Sequence, residues 1–213
     1  MAELIIPSLL ETLYMVVFST IFSLALGFPL GVLLVITEKD GIWEKPAFNN
    51  ILDSIINILR SFPFLILMIL LFPLSRIIVG KTIGTTATIV PLSVAAAPFV
   101  ARVIESALKE VDKGVIELSL SMGATVPQII FKVLIPEAMP SLIMGITLTI
   151  INIIGYSAMA GAIGGGGLGD LAIRFGLYRF QTDIMIVSVI IIILLVQGIQ
   201  YFGNRLAMKV DKK

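Results

Sequence analysis

The chain has no cysteine and no histidine among its 213 residues. These absences exclude disulfides, thiol nucleophiles, histidine bases and the commonest transition-metal ligands. An enzyme built from this chain would have to rely on carboxylates, Lys, Ser or Tyr, and its carboxylates are not clustered. We therefore expect no catalytic residue and no metal site.

Charged side chains are also scarce, at 14% of residues, whereas a soluble domain carries about 25%. Hydrophobic residues make up 58%, and the mean hydropathy is +1.07. Too few charges are present to cover a soluble core of this size. The composition therefore predicts a protein whose solvent is the lipid bilayer.

Five apolar stretches are long enough to cross the hydrocarbon, which takes about 20 helical residues. The first is too long for a cleaved signal peptide, and no basic segment precedes it. We expect one transmembrane domain over 8–204, a connecting loop over 110–137 and a tail over 205–213. The predicted spans are 12–36, 51–74, 82–101, 138–160 and 184–202.

The basic residues predict the orientation, because Lys and Arg concentrate in cytoplasmic loops. Five spans place the termini on opposite sides. With the N-terminus outside, ten basic residues lie inside, four lie outside, and Arg60 lies within a span. The inner ten are Lys39, Lys45, Arg102, Lys109, Lys113, Lys132, Arg205, Lys209, Lys212 and Lys213, and the outer four are Arg76, Lys81, Arg174 and Arg179. This orientation makes the 110–137 loop and the C-terminus cytoplasmic.

The loop between the third and fourth spans is structured and partly polar. Its pattern predicts a short helix over 115–122, ended by Gly123 in the left-handed conformation. Thr125 and Gln128 have the spacing of a capping box, and Pro127 suits a first helical turn. The pattern alone fits an amphipathic connector as well as a docking surface.

Three positions in this loop resemble the EAA loop of ABC importer permeases, E-A-A-x3-G-x9-I-x-L-P. Glu117, Gly123 and Pro136 match, whereas Leu118 and Ser119 replace the two alanines. Three further strings resemble the permease subunits of methionine importers: RSFPFLIL (60–67), IVPLSVAAAPFVARVIE (89–105) and GYSAMAGAIGGGGLG (155–169). The resemblance covers nearly the whole chain.

The resemblance implies an all-α polytopic protein of the plasma (inner) membrane, with the type I ABC importer permease fold. Its implied partners are a second copy of itself, two ATPase subunits at the cytoplasmic face, an extracytoplasmic substrate-binding lipoprotein and membrane lipid, without nucleic acid. The implied substrate is L- and D-methionine. The residues implied to contact the ATPase are Glu117, Leu118, Ser119, Gly123, Ala124 and Pro136, with Glu117 pairing to a basic residue.

No nucleotide site is expected in this chain. Gly80, Lys81 and Thr82 form only the last three letters of a phosphate-binding P-loop, and position 75 is Ser. Gly164-x-Gly166-x-x-Gly169 matches a dinucleotide fingerprint formally, but no strand precedes it. We therefore expect no cofactor here, and the resemblance places ATP and magnesium on the partner ATPase.

Six of the nine residues over 161–169 are glycine, and each glycine weakens a helix by about 1 kcal/mol relative to Ala. We expect an irregular or re-entrant segment at the outer end of the fourth span. It would be either a gate near the binding protein or a site of close packing. Its glycines are Gly161, Gly164, Gly165, Gly166, Gly167 and Gly169. Gly27-x3-Gly31 favours packing.

Polar residues share one face of the fourth span, at helical spacing. We expect them to line the substrate pathway or to join helices by hydrogen bonds. They are Thr149, Asn152, Tyr156 and Met159. In the second span, which Pro63 interrupts, Arg60 would contact a substrate carboxylate, pair with Asp53, or bind freed carbonyls of the dimer partner.

Two other functional classes remain for comparison, together with one alternative of the same architecture. An ion-coupled carrier usually buries acids near the membrane centre, whereas Asp53 and Asp183 lie near span ends. For a membrane enzyme, the chain lacks the required chemical groups, since it has no His and no Cys. A permease of the same architecture for another amino acid or small polar solute differs from the methionine importer in substrate only.

Overall fold

The structure, a computed structural model, describes residues 2–211, and every regular element in that range is helical. Lys212 and Lys213, two of the predicted inner cations, lie outside the described residues. Four helices are long and apolar enough to span a membrane. They are α1 (Ala2–Thr37), α5 (Thr85–Lys109), α9 (Met139–Ala160) and α11 (Thr182–Val210).

Shorter helices connect the four long ones. They are α2 (Pro46–Ser61), α3 (Phe64–Leu70), α4 (Phe72–Val79), α6 (Lys113–Ser121), α7 (Val126–Ile129), α8 (Ile135–Glu137) and α10 (Gly167–Leu171). The long helices match four predicted spans, but α1, α5 and α11 extend beyond them. Hydropathy detects only the apolar part of a helix, whereas its hydrogen bonds continue past the hydrocarbon.

The predicted span over 51–74 is broken at Pro63, the residue expected to interrupt its helix. Helix α2 ends at Ser61, and α3 begins at Phe64 after a bend of 103°. Pro63 has no N–H to donate, and it forces Phe62 into an extended conformation, with ψ of 132°. Counted as one broken span, α2 and α3 bring the number of spans to five.

Helix α5 is the centre of the bundle and packs against α1, α9 and the short helices α2, α3 and α4. Its closest neighbour is α1, which meets it at two glycines. A Cβ added to Gly27 would lie 2.5 Å from the Ala97 carbonyl oxygen, and one added to Gly31 would lie 2.6 Å from that of Ala101. The predicted packing role of these two glycines is confirmed.

A hydrophobic core lies where α1, α5 and α9 meet the short helices of the loop over 110–137. Ile104, Ile129 and Leu134 are completely buried in it. Ile42, from the turn between α1 and α2, and Ile116, from α6, pack against this core. The core therefore joins the loop over 110–137, called the docking loop below, to three long helices.

We predict that Gly27→Val destabilises the protein by about 1–3 kcal/mol, because the added side chain must push α1 away from α5. The measurement is thermal unfolding of the purified protein in detergent. Gly198→Val in α11 is the matched control, because a Cβ there meets nothing within 4 Å. Equal melting temperatures for the two variants would contradict the assigned helix contact.

Candidate functional site

Helix α6 begins earlier than predicted, because Asp112 caps it. The Asp112 carboxylate accepts a hydrogen bond from the Gly114 N–H, at 2.6 Å. The helix runs from Lys113 to Ser121 and is followed by Gly123 with φ of +80°. The predicted helix and its left-handed glycine are confirmed.

The next helix, α7, begins at the predicted capping box. The Gln128 side chain accepts a hydrogen bond from the Thr125 N–H, at 2.8 Å, and Pro127 lies in the first turn. A π-helical turn over Ile130–Leu134 then continues into α8. Pro136 has no N–H for the Lys132 carbonyl, which accounts for the widened turn.

The loop over 110–137 has one buried side and one exposed side. Ile129 and Leu134 are buried in the core, whereas Leu118, Met122 and Phe131 are 62%, 80% and 69% exposed. These exposed apolar side chains lie in the loop between α5 and α9, which also carries charged residues. Such a patch is typical of a surface that binds another protein.

Five of the predicted contact residues lie close together in sequence and structure. Glu117, Leu118 and Ser119 are in α6, and Gly123 and Ala124 form the break after it. The Glu117 side chain is exposed and borders a cavity of 120 Å³ shared with the turn after α1. The sixth predicted residue, Pro136, is exposed in α8.

A chain of ion pairs lies beside this surface and was not predicted. Arg102 pairs with Asp53 at 2.5 Å and with Glu105 at 2.7 Å. Lys109 pairs with Glu105 and Glu38, both at 2.8 Å. The sequence signal was the Arg102–Glu105–Lys109 spacing, which places these residues on one face of a helix. The chain joins α2 and the end of α1 to α5.

The predicted ion pair between Arg60 and Asp53 is absent from the described residues, because the Asp53 carboxylate pairs with Arg102. Arg60 and Tyr156 instead line one cavity of 160 Å³, next to the bend between α2 and α3. The ring of Tyr156 stacks on Phe64, with centroids 4.3 Å apart. The structure thus brings together two predicted pathway residues from different spans.

The other predicted pathway residues differ in exposure. Asn152 is half-buried and Met159 is 50% exposed. Thr149 is buried, and its hydroxyl donates to the Gly145 carbonyl at 2.9 Å. Thr149 therefore makes the backbone hydrogen bond typical of a threonine inside a helix and reaches no open space in this chain.

The segment over 161–169, called the glycine segment below, lies at the end of α9 opposite the docking loop. Helix α9 ends at Ala160, and a 3-10 turn follows. This agrees with the irregular segment predicted at this end of the fourth span. A Cβ on Gly161 would lie 2.2 Å from the Asp170 nitrogen, and one on Gly169 would lie 2.3 Å from the Ala158 carbonyl oxygen. The glycines therefore permit backbone-to-backbone packing.

Comparison with known proteins agrees with these features. The family model described as binding-protein-dependent transport system inner membrane component matches residues 27–206. The probable D-methionine transport system permease protein MetI of Vibrio cholerae is 50% identical over 212 residues, covering 100% of this chain and 94% of the relative. The methionine import system permease protein MetP of Bacillus subtilis is 47% identical, covering 95% and 91%.

Solved structures match the fold as well. A chain of the MetNI methionine ABC transporter, solved in inward-facing conformations, has a TM-score of 0.98 and 42% identity, covering 100% of this chain and 98% of that one. A chain of an amino acid ABC transporter crystallised with histidines has a TM-score of 0.79 at 19% identity. The second match concerns the fold alone.

Proposed function

The chain belongs to the family of binding-protein-dependent transport system inner membrane components, and from this premise we propose that it is the permease subunit of an ATP-driven methionine importer. The observation that carries the proposal is the full-length similarity to permeases named for methionine transport. The exposed surface around Glu117 supports it, because a permease without its own nucleotide site needs a place for its ATPase.

The loop over 110–137 is the docking surface for this separate ATPase subunit, one on each permease of a homodimer. ATP and magnesium are held by the ATPase. Glu117, Leu118 and Ser119 face the partner from α6, Gly123 and Ala124 form the turn, and Pro136 shapes the following helix. In this arrangement Glu117 pairs with a basic side chain of the ATPase.

The buried side of the loop explains how the movement would reach the membrane helices. Ile116 and Ile129 pack into the core that also contains residues of α1, α5 and α9. A displacement of α6 therefore displaces the ends of these helices. The ion pair between Arg102 and Asp53 extends the connection to α2, which carries Arg60.

The orientation that supports this mechanism has the N-terminus outside and the C-terminus in the cytoplasm. The docking loop then faces the ATPase, and the glycine segment faces the extracytoplasmic binding lipoprotein. Helix α11 exposes large apolar side chains, including Ile193 and Leu194. Such a helix requires lipid or the second permease around it.

We predict that cells deleted for their methionine importers regain uptake of labelled L- and D-methionine when this chain is expressed with its ATPase and binding protein. The relative in Vibrio cholerae is named for D-methionine transport and the one in Bacillus subtilis for methionine import, so both enantiomers are the expected substrates. Unlabelled methionine should compete, whereas other amino acids should not. Equal competition by another amino acid would contradict the substrate assignment.

We predict that Glu117→Lys lowers methionine uptake about 10-fold or more and reduces co-purification of the ATPase, because it places like charges against each other at the docking surface. Glu44→Lys is the matched control. Glu44 is also exposed, and it lies in the turn after α1, outside the docking loop. Wild-type uptake by the Glu117 variant would contradict the docking role.

The pathway is proposed to run past Arg60, Asn152, Tyr156 and Met159. Arg60 and Tyr156 already share a cavity, and Asn152 and Met159 continue along α9 on the same helical face. Met159 would form a constriction, and Arg60 would contact the substrate carboxylate. Thr149 is left out of this pathway because its hydroxyl is bound within the helix.

We predict that single cysteines at positions 152 and 159 react with a polar thiol reagent at rates that depend on the nucleotide state. The chain has no native cysteine, so the background is zero. A cysteine replacing Ile153, which is completely buried, is the unreactive control. If neither position reacts in any nucleotide state, the pathway assignment fails.

A further inference from the structure

The outer end of α1 carries two side chains that reach across to the glycine segment. The Glu11 carboxylate accepts a hydrogen bond from the Gly167 N–H, at 2.8 Å. The Thr12 hydroxyl accepts one from the Leu168 N–H, also at 2.8 Å, and itself donates to the Ser8 carbonyl. Each bond to the glycine segment joins residues 156 positions apart.

These two bonds satisfy groups that have no other partner within α10. Gly167 and Leu168 are its first two residues, and the first N–H groups of a helix have no acceptor inside it. Both residues are buried, which limits the access of water to their N–H groups. A carboxylate at the positive end of a helix is a strong acceptor.

The glycine segment is shaped to receive these side chains. Gly166 and Gly167 have φ of +81° and +77°. A Cβ on Gly166 would lie 3.0 Å from the Glu11 carboxylate oxygen, and a Cβ on Gly167 would lie 2.6 Å from the Thr12 hydroxyl oxygen. Glycine at these two positions thus allows both the backbone conformation and the approach of α1.

The position of Glu11 in α1 is also specific. Glu3 and Glu11 are the only charged residues of this 36-residue helix. Glu11 directly precedes the predicted span over 12–36. The carboxylate therefore lies where α1 leaves the hydrocarbon, at the level of the glycine segment. Ile5 and Leu9, six and two residues earlier in α1, pack against the cluster that contains Leu168 and Leu171 and stabilise the same contact.

We propose that Glu11 and Thr12 form a latch that holds the outer end of the permease closed in the inward-facing state. The inference rests on the proposed transport function. The neighbour with a TM-score of 0.98 was solved in inward-facing conformations. Alternating access requires the outer end to open in the other state, and in this proposal that opening separates α10 from α1.

Contacts made in only one of two states bias the equilibrium toward that state. The latch therefore makes outward opening depend on the binding protein, which must supply the compensating contacts. Glu11 and Thr12 are positioning residues in this scheme. They act through the backbone of the glycine segment and have no contact with substrate.

The test uses the complete transporter, with its ATPase, in proteoliposomes, and measures ATP hydrolysis with and without the methionine-loaded binding protein. Glu11→Ala should raise hydrolysis without the binding protein by roughly 10-fold, the effect of losing a charge-assisted hydrogen bond in one state. The stimulation by the binding protein should fall correspondingly. Glu11→Gln keeps an acceptor oxygen and should restore most of the stimulation.

Glu3→Ala is the matched control, since Glu3 is the other carboxylate of α1 and lies exposed. A purely structural defect would lower both rates with the amount of folded complex and would leave their ratio unchanged. An unchanged ratio in the Glu11→Ala variant therefore overturns the latch.

If Glu11→Ala fails to assemble, Thr12→Val decides the matter. It removes one acceptor at similar volume, and it should raise unstimulated hydrolysis by a smaller factor in the same direction. An unchanged ratio in that variant also overturns the latch. A wild-type transporter without any stimulation by the methionine-loaded binding protein would instead contradict the proposed function.

Discussion

The close approach of α1 and α5 is the contact on which the rest of the structure depends. Gly27 and Gly31 let the backbones meet without intervening side chains. In a bilayer, lipid tails compete with apolar side chains, so close packing has to hold helices together. The approach places the 36 residues of α1, about 54 Å of helix, alongside α5, the central helix of the bundle.

Because α1 is continuous, it takes part in both functional ends of the protein. At one end the turn after it packs Ile42 into the core below the docking loop and pairs Glu38 with Lys109. At the other end Glu11 and Thr12 bind the glycine segment. A displacement at the docking surface and a rearrangement of the glycine segment therefore involve the same helix.

The features predictable from the sequence were those that depend on neighbouring residues. Hydropathy located four spans, Gly123 marked the turn in the docking loop, and the Thr125–Gln128 spacing indicated a helix start. The docking surface could be proposed from the sequence because its residues follow one another along the chain. The course of the proposed pathway depends on how separate helices meet, which a single sequence does not contain.

The features that were missed depend on tertiary contacts. Pro63 signalled a break in the second span, but the bend of 103° depends on the packing of α3 against its neighbours. Asp53 and Arg102 are 49 positions apart, and Glu11 and Gly167 are 156 apart. No local pattern connects such residues. Their pairing depends on the backbone path, which is set by the α1–α5 contact.

The placement of charge along the helices indicates where the free energy of transport enters. In the described part of α1, α5, α9 and α11, no carboxylate lies near the middle of a helix, so an ion-coupled cycle has no group there to bind a proton or sodium. The ion pairs that join separate elements lie beside the docking loop. This placement of charge agrees with the proposed coupling, in which force from the ATPase enters at the docking loop and reaches α1, α2 and α5 through these ion pairs.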